Sequence, residues 1–298
     1  MRSDFEVFDA HCDTLTAKGL FHTKTHLRLR DIKRYKKYIQ VFAICADENP
    51  PFLHAKRHIR KYNALIKKWG MERIERRQDL KNAQYGAFLA LEGADALHDS
   101  LSALDFFYKE GVRLLTLTWN LSNAAASSIT AKEDNGLSDF GKRLVRACEK
   151  KGIVIDLSHI SDKGFYDVCE ISEKPFVCSH SNSRTIADVK RNITDRQFTE
   201  IVKRGGVCGI NFYSEFLGEN KNIDGIYAHI EHFCALGGEK SIGLGSDFDG
   251  IKSMPEDSKG ASYMEKIAQN LLMHNYSEKT VNNILWGNFY RVFDKIIK

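Results

Sequence analysis

A chain of 298 residues, 43% hydrophobic and 28% charged, is long enough for one large domain or two medium ones and too rich in apolar side chains to be disordered or fibrous. Its formal charge of +5 is modest and its basic residues are interspersed with acidic ones, so composition gives no reason to expect a nucleic-acid partner. No apolar run approaches the length of a bilayer span, and the opening Met1-Arg2-Ser3-Asp4-Phe5 lacks the apolar stretch of a secretion signal; the expectation is a cytoplasmic protein with no membrane contact.

The first element is the run 6–10, leading into Asp9-Ala10-His11-Cys12-Asp13. Side chains two apart on a strand share a face, so the His11 imidazole and the Asp13 carboxylate can hold one cation together. A basic stretch over 24–37 follows, with Lys24, Arg28, Arg30, Lys33, Arg34, Lys36 and Lys37 against only Asp31. It reads as a solvated loop and helix face, with an anionic partner or a subunit contact as the alternative. Further short apolar runs come at 39–45, 86–91, 113–119, 153–158, 175–179, 206–211 and 241–246. Most are too continuously apolar to keep one face wet, as in parallel strands covered on both sides.

Between these runs the period changes to that of helices, at 53–69, 137–151, 162–171 and 194–204, with Thr194 or Asp195 as a cap and Gly152 and Gly205 just past helix ends. Segments 262–274 and 277–297 supply terminal helices expected on the outside of the fold. Eight strand-helix repeats, uninterrupted by a Pro/Gly/Ser-rich linker, predict one α/β domain over 1–298, a single (β/α)₈ barrel of the TIM type. The seven cysteines are spread singly with no Cys-x-x-Cys pair, so buried thiols are expected rather than disulfides or a thiolate metal site. The chain carries no Gly-x-Gly-x-x-Gly or phosphate-binding loop, and a nucleotide cofactor is not expected.

In such a barrel the downstream strand ends open onto one mouth. His11 and Asp13 follow the first strand, Glu92 the third, His159 the fifth, His180 the sixth and Asp247 the eighth. Any one of them could be an ordinary hydrogen-bonded residue; six at equivalent ends point to a binuclear metal site. Imidazoles favour zinc, and manganese or iron also suit the donor set. One ion would sit on His11 and Asp13, the other on His159 and His180, with Glu92 between them.

These motifs, together with Leu91-Glu92-Gly93, Asp156-Leu157-Ser158-His159, Ser179-His180-Ser181, Gly245-Ser246-Asp247-Phe248-Asp249-Gly250 and a C-terminal Gly287-Asn288-Phe289-Tyr290-Arg291-Val292-Phe293, resemble the membrane (renal) dipeptidase family, the M19 metallopeptidases. The resemblance implies the same barrel, two zinc ions on the ligands just named, and hydrolysis of dipeptides by a hydroxide bridging the metals. It also implies Asp247 as the proton-transferring acid, Arg191 as the grip on the substrate's terminal carboxylate, and a homodimer. Where mammalian members have a histidine at the end of the fourth strand, this chain has Trp119 followed by Asn120, as bacterial members do. Trp119 and Asn120 are therefore expected to contact substrate, with Asn120 assisting at the carbonyl oxygen. Asp249 is expected to be structural or supporting. Other two-metal barrel hydrolases, acting on cyclic amides, lactones or phosphoesters, and a catalytically silent metal or peptide binder are the alternatives.

Overall fold

A computed structural model describes residues 3–17, 25–45 and 49–298. Among the described residues nine strands occur, eight of them in the expected runs, with helices between them: β1 Glu6–Cys12, β2 Lys37–Cys45, β3 Glu72–Arg73, β4 Tyr85–Glu92, β5 Val112–Thr116, β6 Val154–Asp156, β7 Val177–Cys178, β8 Val207–Ile210 and β9 Ile242–Leu244. The ladder runs β2-β1-β9-β8-β7-β6-β5-β4, and β2 pairs with β4 from Tyr38 opposite Tyr85 to Cys45 opposite Glu92, which closes the ring. Every pairing is parallel. The two-residue β3 was not expected; it lies beside Gly86 and Ala87, along the β4 edge that β5 occupies further downstream.

Each expected run contains a strand, but several strands leave the ladder early. The run 113–119 stays paired only to Thr116, and 175–179 only over Val177–Cys178. Beyond the last paired residues, His159 and Asp247 adopt left-handed backbones with φ of 67° and 61°. Non-glycine residues seldom do so without tertiary support.

The helices form where the sequence supplies ends for them. Pro51–Trp69 begins with proline at its first position and stops at Gly70, whose φ of 59° glycine adopts at no steric cost. Ser138 and Ser161 cap Asp139–Lys151 and Asp162–Ile171 by accepting the backbone N–H groups of Gly141 and Gly164. Thr194 and Gln197 form a reciprocal capping box at the start of Asp195–Lys203.

Both faces of the sheet are buried. Phe8, Ile39, Val41, Phe88, Leu114, Val154, Val177 and Val207 fill the inside of the ring, and a second, larger apolar layer lies between strands and helices. Six of the seven cysteines are buried, and all are free thiols.

The C-terminal segment corrects the expectation of purely external packing. Tyr263–Met273 does pack on the outer layer, but 277–297 breaks into Glu278–Asn282, a π turn over Asn283–Gly287 and Asn288–Ile296. That last helix stops the upstream end of the barrel. Its Phe289, Val292 and Phe293 join the interior cluster, and the Phe293 ring lies 4.9 Å from that of Phe8. Asn288 Nδ2 donates to the carbonyls of Glu239 (2.9 Å) and Ile242 (2.7 Å), and Arg291 to those of Gly205 and Lys240, both at 2.7 Å.

The basic stretch is neutralised in part by ion pairs. Arg28 meets Asp31 at 2.6 Å, Arg34 meets Glu265 at 2.7 Å, and Lys36 lies 3.4 Å from Glu6. Lys24 lies outside the described residues.

Candidate metal centre

The register of β1 against β2 shifts between Asp9 and Cys12, a bulge that re-aims the strand's last side chains. His11, fully buried, brings its Nε2 to 3.3 Å from Asp13 Oδ2, 3.6 Å from Glu92 Oε1 and 3.9 Å from Asp247 Oδ1. Glu92, at the end of β4, also lies 3.2 Å from His159 Nε2 and 3.5 Å from His180 Nε2. One carboxylate oxygen thus faces three imidazoles. The six residues fall into three overlapping donor groups, His11 with Asp13 and Glu92, Glu92 with His159 and His180, and His11 with His180 and Asp247. Glu92 is common to the first two.

The atoms themselves test whether cations fit. His180 Nδ1 is 2.7 Å from Ser179 Oγ, which in turn donates to Asp156 Oδ2 at 2.6 Å. The single hydroxyl proton of Ser179 is therefore committed to the carboxylate, so Nδ1 carries the ring proton and His180 Nε2 is a bare lone pair. That lone pair faces His159 Nε2 at 3.0 Å. His11 is buried with neither ring nitrogen hydrogen-bonded. Converging buried lone pairs and carboxylates are unfavourable unless positive charge lies among them. Divalent ions would supply it, and the residues fit them.

Without such ions the charges strain against one another. Burial, with Asp13 and Asp247 adding to it, pushes Glu92 well above the usual carboxyl range. Burial likewise lifts Asp247 to about 7 and holds His159 and His180 well below an ordinary histidine. Burial would depress His11 too, but the carboxylates of Glu92 and Asp13 outweigh it and raise the ring to about 10.

Asp247 is anchored twice. Its N–H donates to His11 O at 3.2 Å, and its Oδ2 accepts from Asn211 Nδ2 at 2.9 Å. Asn211 was not singled out from the sequence; the available signal was an amide closing an otherwise apolar run, and in the fold it is fully buried. Arg191 lies on the loop after β7, where Nη2 donates to His180 O at 3.2 Å and the guanidinium packs 5.6 Å from the Phe216 ring. Asn192 fixes that loop by donating to Ala187 O (2.9 Å) and Phe216 O (3.1 Å). Burial lowers the Arg191 pKa, while Asp247 and Glu92 work in the opposite direction.

Trp119 sits half-buried beside Gly93, the residue after Glu92. Asn120 is exposed and makes contact through its carbonyl, which accepts from the hydroxyls of Ser128 and Thr130. Asp249 is occupied structurally, accepting from Thr14 Oγ1 and from His26 N–H, both at 2.6 Å.

A closed parallel barrel with histidines and carboxylates gathered at its downstream strand ends defines the class of metal-binding barrels. Within that class the chain belongs to the membrane dipeptidase family, peptidase family M19, whose family model matches residues 1–298. It is 33% identical over 223 residues to an uncharacterized dipeptidase of Schizosaccharomyces pombe, covering 72% of this chain and 54% of that one. It is 31% identical over 237 residues to human dipeptidase 3, covering 76% and 49%. The chain spans about half the length of these curated relatives. The fold matches that of a metallopeptidase from Rhodobacter sphaeroides, solved with a phosphinate mimic of the dipeptide L-Ala-D-Ala, at a TM-score of 0.86 and 22% identity, over 99% of this chain and 100% of the other. A probable dipeptidase of Pseudomonas aeruginosa, PvdM, superposes at 0.86 with 17% identity over 98% and 95%. Among the described residues, no helix is long and apolar enough to cross a membrane.

Proposed function

We propose that this chain is a dipeptidase that works with two divalent ions, zinc in the first instance, one on His11 and Asp13 and the other on His159 and His180, with Glu92 shared. The observation that carries the reading is Glu92 Oε1 lying between 3.2 and 3.6 Å from three imidazole nitrogens that belong to three different strand ends. Family membership, and the dipeptide mimic held by a relative of the same fold, support the substrate class.

When bound, such ions lower the pKa of water and polarise a carbonyl. The protein's own groups do the rest. Asp247, oriented by Asn211, takes the proton of the attacking water and returns it to the leaving amine. Arg191 binds the substrate's terminal carboxylate with its planar, always-charged fork, which places the scissile bond one residue in from the C-terminus. Trp119 and Asn120 line the approach to the substrate, with Asn120 donating toward the carbonyl oxygen.

The reading is tested by loading the protein with zinc and comparing a dipeptide with its C-terminal amide. Two equivalents of zinc and loss of turnover on amidation are expected. Unchanged turnover of the amide would point to another barrel amidohydrolase, and binding of either without product would point to a silent binder. We also propose one domain over 1–298, a homodimer and a cytoplasmic location, to be checked by limited proteolysis, light scattering and cell fractionation.

A further inference from the structure

Asp156 and Asp9 belong to the motifs that mark the site, yet neither is among the six converging donors. Both are fully buried. Asp156 ends β6 and accepts four hydrogen bonds. Oδ1 takes the N–H groups of Ser158 (3.0 Å) and Ser179 (2.7 Å), and Oδ2 takes the hydroxyls of Ser179 (2.6 Å) and Thr116 (2.7 Å). Ser158 and Ser179 each stand one residue before a histidine donor. Ser158 Oγ also accepts the His180 N–H at 3.1 Å, linking the two strand ends directly. The chain from Asp156 Oδ2 through Ser179 Oγ to His180 Nδ1 fixes that ring's tautomer and rotation.

The device recurs across the barrel. Asp9 on β1 accepts the Ser246 N–H at 2.8 Å on Oδ1 and the Ser246 hydroxyl at 2.6 Å on Oδ2, and Ser246 stands one residue before Asp247. In both cases a buried carboxylate on one strand seizes a serine at the end of the next strand, and the following side chain is delivered to the centre. The left-handed turns at His159 and Asp247 lie next to these anchors.

We infer that Asp156 is a positioning residue for one ion only, setting His159 and His180 together through Ser158 and Ser179. This rests on the two-ion reading above. Thr116 supplies an internal control, because it donates to the same carboxylate oxygen but precedes no donor. A structural carboxylate would feel the loss of either hydroxyl; a positioning one would transmit only that of Ser179.

The test is a cobalt(II) titration of metal-free protein, followed by visible absorption and by competition with a chelator. Wild type is expected to take up two equivalents. Ser179→Ala is expected to keep one at wild-type affinity and bind the other about 10–100-fold more weakly. Thr116→Val should be indistinguishable from wild type. Asp156→Asn should show at least the Ser179→Ala defect; if it does not fold, the milder pair decides. Wild-type affinity in Ser179→Ala, equal weakening of both equivalents, or the same defect in Thr116→Val would overturn the inference alone. Fewer than two equivalents in the wild type would overturn the two-ion reading, and the inference with it.

Discussion

Glu92 is the residue on which the centre converges, because its carboxylate lies within 3.6 Å of imidazoles from three strands. Replacing it with glutamine keeps the volume and removes the charge that two cations would share. We expect Glu92→Gln to bind less than two equivalents of zinc and to lose roughly 10²–10³ in kcat/KM on a dipeptide, measured after dialysis against excess metal. His229 offers a different residue-level test, away from the donors. Its Nδ1 accepts the Ser183 N–H at 3.2 Å on the loop that carries Arg191, and burial holds the ring at about 4 instead of the ordinary 6.5. Below pH 6.5 the unfolded chain takes up this proton before the folded one does, so the stability His229 supplies is present above 6.5 and is lost as pH falls to 4. The loss should approach roughly 3 kcal/mol. Urea midpoints of wild type and His229→Gln should therefore draw together between pH 7 and 4.

At the level of elements, the two ends of the barrel do separate work. The helix Asn288–Ile296 closes the upstream end with aromatic side chains, and Phe293→Ala should cost about 3–5 kcal/mol by urea denaturation. It should leave zinc stoichiometry unchanged, since the donors lie at the opposite end. Gly245 belongs to the downstream end. A Cβ there would stand 1.8 Å from Ser179 O, so β9 and the segment after β7 can approach only because the position is glycine. Gly245→Ala should push the two strand ends apart and impair zinc uptake more than Phe293→Ala does, even if its loss of stability is smaller. The two variants together would show whether closing the barrel and building the centre are separable.

Across the whole molecule, β1, β4, β6, β7 and β9 each lead to at least one of the six converging side chains. Ions bound among them would tie the rim of the ring together at the end opposite the C-terminal helix. A ligand that binds only the folded state stabilises it by about 2.7 kcal/mol at a hundredfold excess over its Kd. Stripping the metal with a chelator should therefore lower the melting temperature by several degrees, and zinc added back should restore it. If melting is indifferent to chelator, no ion is held at the rim and the two-ion reading fails.

The sequence by itself determined the eight barrel strands, the helices at 53–69, 137–151, 162–171 and 194–204 with the Thr194 cap, and the candidacy of His11, Asp13, Glu92, His159, His180 and Asp247, but not the helices Leu101–Lys109 and Ile223–Ala235. Each feature it determined leaves a local trace, either a period of side chains, a capping residue, or a polar group closing an apolar run. Only the tertiary structure decided that β1 bulges before Cys12, that His159 and Asp247 turn left-handed, that Asn211 holds Asp247, that Asp156 and Asp9 anchor the residues before the donors, and that the last helix enters the barrel end instead of lying along its outside. The reason is range. Asp9 meets Ser246 and Phe8 meets Phe293 across most of the chain, and no local pattern records contacts that exist only once the ring has closed.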